Sequence, residues 1–326
     1  MTTSTIKPKI TFVRGDFNAC SYYRMILPGK ALSEKGYEVN TNPTYDDFAS
    51  SDILVFQRQY KEIALKEIAE WKKKGKKIII DYDDNFLSLE SHNPAKQFYT
   101  EKALEIFKET MSIADAVTVS VKPLVNAYNK INGSVFVLPN SVDEYALSFS
   151  KKLPGRPIVG WQGGPSHLED LKIIKSVINE IQKKYSFDFI LAGYEPGNIF
   201  KKSIYRKLIP FSEELLHHHL FQDFYIGLCP LTDSEFNECK SDIKFLEYST
   251  MEIPTIASKR TAYESIENGS TGFLARNLAD WKKYIGDLLT DESKRNEIGS
   301  NAKKYVLESR TIQKNIYKWE ELLNNI

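Results

Sequence analysis

Short apolar runs alternate with amphipathic stretches along the whole chain. Lys9–Arg14 (KITFVR), Asp52–Gln57 (DILVFQ), Lys77–Asp81 (KIIID), Ala116–Ser120 (AVTVS) and Val135–Leu138 (VFVL) read as buried strands. Between them, Ser21–Lys35, Lys61–Lys74 and Ala95–Ala114 have helical periodicity, and Gly36 and Gly75 stand just past the first two as stop signals. The rhythm restarts in the second half. Pro157–Trp161, Phe187–Ala192, Phe224–Cys229, Thr255–Ala257 and Gly272–Leu274 are predicted strands, Leu168–Tyr185 a helix, and Leu278–Ile326 a helical tail in which Trp281 and Trp319 pack. Strands interleaved with helices predict an α/β protein with mainly parallel sheets. The polar, Pro- and Gly-bearing segment Ser148–Pro157 predicts a linker, giving two doubly wound, Rossmann-like domains facing each other across a cleft. Ligands in that architecture lie at the C-terminal ends of the strands.

Composition narrows the class. A chain of 326 residues, 42% hydrophobic and 27% charged, has room for two ordinary domains. Its 44 basic against 43 acidic side chains give a net charge of +1, which argues against a general nucleic-acid coat. The three cysteines, Cys20, Cys229 and Cys239, lack C-x-x-C spacing and suggest neither a disulfide framework nor a zinc site. No apolar stretch approaches about 18 residues and the N-terminus does not read as a signal peptide, so a cytoplasmic protein is expected, with peripheral membrane contact open.

The run IGLCPLTDSEFNECKSDIKFLEYSTMEIPTIAS (Ile226–Ser258), followed by ENGSTGFLARNLADW (Glu267–Trp281), resembles the donor-binding region of GT-B glycosyltransferases of the group 1, family 4-like type. VLPNSVDEY (Val137–Tyr145) is similar to that family's interdomain element, and SYYRMILPGKALSEKGYEV (Ser21–Val39) to its first helix. The resemblance implies a GT-B enzyme that moves a hexose-type sugar from a UDP- or GDP-type donor, with retention of configuration and no cofactor. It implies an acceptor-binding domain over residues 1–150 and a donor-binding domain over 151–305. A C-terminal helix, 306–326, would cross back to the first domain. The acceptor stays open among glycans, lipid-linked molecules, proteins and modified DNA, as does the oligomeric state.

Candidate site residues follow. Glu247 matches the family's second Glu, and a carboxylate there can accept both ribose hydroxyls. The first Glu of the family's E-x7-E pair is replaced by Cys239, and Asn237 or Asp242 is offered for donor-sugar hydroxyls instead. Lys240 and Lys244, four apart and so on one helical face, would stabilise the charge on a departing nucleoside diphosphate. In GWQGGPSHLEDL, Gly163 and Gly164 let backbone N–H groups approach a phosphate, and His167 is a donor contact. Ser166 and Glu169 have capping-box spacing, and the family's Arg on this loop is missing. Tyr194, after the strand ending in Ala192, lies where the family meets the base.

On the acceptor side stand Tyr22, Tyr23, Arg24, Asp83 and Asp84. The DYDDNF run (Asp81–Phe86) is read as facing acceptor hydroxyls rather than a metal, since D-x-D metal sites belong to the other, single-domain glycosyltransferase fold. The expected catalytic set is Asp83, His167 and Lys240, with Asp83 or Asp84 as a base. The remaining histidines are assigned no role, with His217–His219 read as a run on a polar helix. Two rivals remain: a nucleotide-sugar epimerase of the same fold, and a non-catalytic nucleotide-sugar-binding module.

Overall fold

The computed structural model describes residues 7–152, 155–208, 210–213 and 216–326. Residues 1–6, part of the N-terminal reading, and Leu153 and Pro154 of the expected linker lie outside the described residues. The chain divides into two compact units. The first comprises Met1–Glu90, Ala95–Asn140 and Ile312–Ile326, and the second Ser91–Pro94 and Ser141–Thr311. The changeover therefore falls at 140/141 rather than within 148–157, and the tail joins the first unit from Ile312.

In the first unit six parallel strands are ordered β2-β1-β3-β4-β5-β6: β1 Lys9–Val13, β2 Glu38–Asn40, β3 Ile53–Gln57, β4 Lys77–Tyr82, β5 Ala116–Val119 and β6 Val135–Val137. Every residue of β3 and β5 is buried, which is why both read as continuous apolar runs instead of alternating ones. The short strand β2 was not anticipated. It is a half-exposed edge of three residues, with too little apolar pattern to announce itself. The tail helix Tyr317–Asn324 buries Trp319 against Phe12 of β1, ring centroids 5.4 Å apart.

The first helical segment runs as predicted but not as one helix. A turn at Ala19–Ser21 leads into a π-helical stretch, Tyr22–Ile26, and then the α-helix Leu27–Glu34, closed by Gly36 at φ +85°. The helix Glu62–Lys73 similarly stops at Gly75, φ +83°. Ala95–Ala114 divides into a 3-10 turn, Pro94–Phe98, and the helix Glu101–Ile113, because the Thr100 hydroxyl caps the Ala103 N–H and starts a new helix.

The second unit repeats the plan in the order β12-β11-β10-β7-β8-β9, again parallel throughout. Its strands are β7 Ile158–Gln162, β8 Asp188–Ala192, β9 Ile204–Arg206, β10 Ile226–Cys229, β11 Thr255–Ser258 and β12 Phe273–Ala275. Leu168–Tyr185 is two helices, Leu168–Ile173 and Lys175–Lys184, joined at Ile174. The tail beyond Leu278 likewise separates into Leu278–Thr290, Glu292–Ser309, Ile312–Asn315 and Tyr317–Asn324. Among the described residues, no helix is long and apolar enough to cross a membrane.

Two glycines explain how this sheet carries its aromatics. Gly160 of β7 and Gly227 of β10 are register partners. A Cβ on Gly160 would meet the Phe224 ring at 2.1 Å, and one on Gly227 the Tyr248 ring at 2.3 Å. Only bare backbone lets both rings lie on the sheet. Gly227→Ala is expected to destabilise the protein by about 1–3 kcal/mol through overpacking, read as a lowered urea midpoint with an unchanged m-value.

Candidate functional site

In the second unit the strand order reverses about β7, which lies between β10 and β8. Ligands of open parallel sheets bind beyond the strand ends at such a switch point, and polar groups of this chain gather there. Tyr248, laid flat over Gly227, accepts a hydrogen bond from the Gln162 N–H at 3.1 Å, fixing the end of β7. The Gln162 side-chain amide donates to the Glu247 carboxylate. Glu247 stands on the helix Ile243–Thr250 and is 5% exposed, so it is a buried carboxylate held in one orientation.

Lys244, one turn earlier on that helix, donates from Nζ to His167 Nε2 at 2.9 Å. The other ring nitrogen, His167 Nδ1, is 2.7 Å from Asp170 Oδ2. An ammonium can only donate and a carboxylate only accept, so the neutral imidazole carries its proton on Nδ1. Burial, then the Lys244 charge, pushes His167 down to about 4 despite Asp170. Burial likewise lowers Lys244. For Asp170, burial works toward protonation, but hydrogen bonds from His167 and Thr232 outweigh it and hold the carboxyl below its ordinary range. Asp170 also accepts from the Thr232 N–H (2.7 Å), the Thr232 hydroxyl (2.9 Å) and the Asn237 amide (2.9 Å). The result is an Asp170–His167–Lys244 chain leading to Glu247.

The predicted residues of this unit are distributed as follows. His167, Lys244 and Glu247 meet at one place. Gly163 and Gly164 lead into a 3-10 turn, Pro165–His167, and Gly163 packs so closely on Trp161 that a Cβ would stand 2.5 Å from the ring. Ser166 is inside that turn and caps nothing; His167 is the residue before the helix, and Glu169 pairs with Lys172 instead. The capping box is therefore absent. Lys240 does not share a helical face with Lys244, because the chain breaks between the helices Glu235–Glu238 and Ile243–Thr250, and its ammonium lies 4.2 Å over the Phe236 ring. Tyr194 follows Gly193 (φ +94°) and packs half-buried on the hydrophobic core. Of the two offered sugar contacts, Asn237 is spent on Asp170 and Asp242 is held by Arg310 through two bonds, 2.6 and 2.8 Å. Cys239 is buried and in no disulfide. His217–His219 is no polar helix: His217 is left-handed at φ +59° and His218 is buried, stacked on Phe149.

In the first unit the sheet order reverses about β1, and charges gather at the neighbouring strand ends. Arg24 is 3% exposed and fully engaged by Asp81, Leu138 O and Asn140. Burial opposes its charge, but Asp81 more than restores it. Arg24 thus holds β4 to the π-helical segment, which displaces the expected acceptor contact. Tyr22 and Tyr23 are also buried, 2% and 8% exposed, with their rings edge to face. Arg58, at φ +52° just past β3, is the residue that pattern-reading missed. Its guanidinium binds Asp83 at 2.6 and 2.7 Å, Asp16 at 3.2 Å and Asp84 at 3.6 Å. A bidentate guanidinium favours the ionised carboxylate and occupies both its oxygens, which speaks against Asp83 as a base and leaves it able to orient hydroxyls. Among the described residues no group of three or more His, Cys, Asp or Glu is placed to hold a metal ion.

No family model and no curated protein matches the chain. Solved structures do. HepE from Anabaena, in complex with UDP and glucose, is 12% identical over 98% of this chain and 100% of its own, with a TM-score of 0.70. An α-glucosyltransferase in complex with UDP and a 13-mer DNA containing an HMU base is 10% identical, with the same coverage and a TM-score of 0.70. Sucrose-phosphate synthase from Thermosynechococcus elongatus is 13% identical over 98% and 99% of the two chains, with a TM-score of 0.67. The chain has the GT-B fold. At these identities the likeness establishes the GT-B architecture, with its two Rossmann-like units.

The buried imidazole makes stability pH-dependent. His167 titrates near 4 folded and near its ordinary value of 6.5 unfolded, so between those values the unfolded chain takes a proton that the folded one refuses. Stability is full above pH 6.5 and falls as pH drops toward 4, by up to about 3 kcal/mol. His217 acts in the same direction. Urea unfolding at pH 7 and pH 4.5 is expected to show the loss, and His167→Gln should shrink it by roughly 2 kcal/mol.

Proposed function

We propose that this protein is a glycosyltransferase that moves a hexose-type sugar from a UDP- or GDP-type nucleoside diphosphate sugar to an acceptor, without a metal and with retention of configuration. The observation that carries the reading is the buried Glu247 carboxylate, oriented by Gln162 at the switch point and one helical turn from the Lys244 ammonium. A fixed carboxylate suits the two vicinal hydroxyls of a ribose, and a neighbouring cation suits a diphosphate. Two GT-B structures of similar shape are complexes with UDP, which supports a UDP donor.

In the proposed reaction Glu247 binds the ribose. Lys244 exchanges its hydrogen bond with His167 for a phosphate oxygen, and with Lys240 it stabilises the charge that develops as the diphosphate leaves. Until the donor arrives, His167, neutral and oriented by Asp170, holds the ammonium in place. The Gly163 N–H is spent on the Ala192 carbonyl, so the backbone of Gly164 and the side chain of Tyr194 complete the donor contacts. Asp83 and Asp84, fixed by Arg58, orient acceptor hydroxyls in the first unit. A glycan, a lipid-linked molecule, a protein or modified DNA would each offer such hydroxyls. Cys239, where the resemblance expects a carboxylate, favours one rival: a module that binds the nucleotide sugar and does not turn it over.

A thermal-shift series of UDP, GDP and their sugars tests the reading. One of them at about 100 times its Kd should add about 2.7 kcal/mol of stability, and Glu247→Ala should abolish the shift. With a matching acceptor, Lys244→Met should lower kcat by roughly 10²-fold. No stabilisation by any nucleotide would refute the donor site; stabilisation without donor consumption across an acceptor panel would support the binding module.

A further inference from the structure

A cavity of about 340 Å3 opens beyond the ends of β11 and β12. Its floor is apolar, with Ile173, Leu231 and Trp281, and its rim carries Lys259, Arg260 and Arg276. None of Gln162, His167, Lys244 or Glu247 lines it. The volume is at the lower end of small-molecule sites.

The cations are under-used. Arg260 gives one amine to Asp233 at 3.0 Å, but that carboxylate is 76% exposed and the pair correspondingly weak. Its Nε is buried and has no hydrogen-bond partner. A buried guanidinium N–H left unmatched is uncommon and calls for an acceptor. Among the described residues neither Lys259 nor Arg276 is in an ion pair; Arg276 is exposed and lines the cavity, and its backbone N–H donates to Asp280. Three cations against Asp233 and Asp280 leave the rim net positive, and the N-terminus of the 13-residue helix Leu278–Thr290 adds to that field. Beneath the charges, Trp281 and Leu231 offer a surface that an inorganic ion alone would not use.

We propose that this cavity binds an oxyanion, phosphate or carboxylate, carried on a compact apolar body, at a site separate from the Glu247 site. The guanidinium of Arg260 receives the anion in its fork, Lys259 and Arg276 close on it from the rim, and Trp281 packs against the body. The floor also gives the site a route to the network described above. Leu231 precedes Thr232, and Ile173 is three residues past Asp170, so an occupant would press on both ends of the Asp170–Thr232 hydrogen bonds.

Calorimetric titration with phenyl phosphate and with benzoate, each in the absence and presence of saturating UDP, tests this on the intact protein. At least one probe should bind, with UDP present or absent, and the better one identifies the oxyanion. Arg260→Gln should weaken that binding at least tenfold, and the exposed Arg276→Gln, which leaves the core untouched, several-fold. Glu247→Ala should leave it unchanged, and so separates this site from the proposed donor site. The proposal fails if neither probe binds, if both arginine variants bind as the parent does, or if UDP displaces the probe.

Discussion

The second unit is organised around one carboxylate. Asp170 accepts hydrogen bonds from His167, from both the N–H and the hydroxyl of Thr232, and from Asn237, and it is almost wholly removed from water. A buried charge without partners would cost several kcal/mol; four donors from three segments of chain turn that liability into a joint. The loop after β10, the short helix Glu235–Glu238 and the turn after β7 are fixed relative to one another through this group. His167 is fixed with them, in one tautomer, and passes the order on to Lys244.

A second line of constraint reaches the same place from the sheet. The absence of a Cβ at Gly227 lets the Tyr248 ring lie on β10, the Tyr248 hydroxyl catches the end of β7, and Gln162 there orients Glu247. Packing and polarity thus act in series. Sheet geometry positions an aromatic ring, the ring positions a backbone, and the backbone positions the carboxylate. The first unit uses charge for a similar purpose. Arg24 and Asp81 form a buried pair with further carbonyl and amide partners, and Arg58 gathers Asp16, Asp83 and Asp84 at the ends of β1, β3 and β4. Such pairs contribute less to net stability than to fixing one arrangement, since desolvation consumes much of the Coulomb gain.

Both sheets are parallel throughout and each has one switch point, and the chain shares its fold with structures to which it is only 10–13% identical. Such a fold requires apolar strands buried on both faces and helices that cover them; in this chain it is Gly160 and Gly227 that make room for the rings on the second sheet. Many sequences satisfy those demands.

Sequence alone determined the strands that are buried on both faces, because a run such as ILVFQ or KIII has only one stable environment, and it determined the helix stops at Gly36 and Gly75, because local φ preference decides them. It placed His167, Lys244 and Glu247 in the same neighbourhood through motif order. It could not show that Arg24 would be enclosed by Asp81, 57 residues away, or that Asp170 would meet Thr232 and Asn237, 62 and 67 residues on. Nor could spacing show that Lys240 falls in the break between the helices Glu235–Glu238 and Ile243–Thr250 while Lys244 stands on the second, where Asp242 at its start is held by Arg310. Periodicity records which face of an element is buried; which polar side chains meet there is decided only when the sheets bring distant strand ends together.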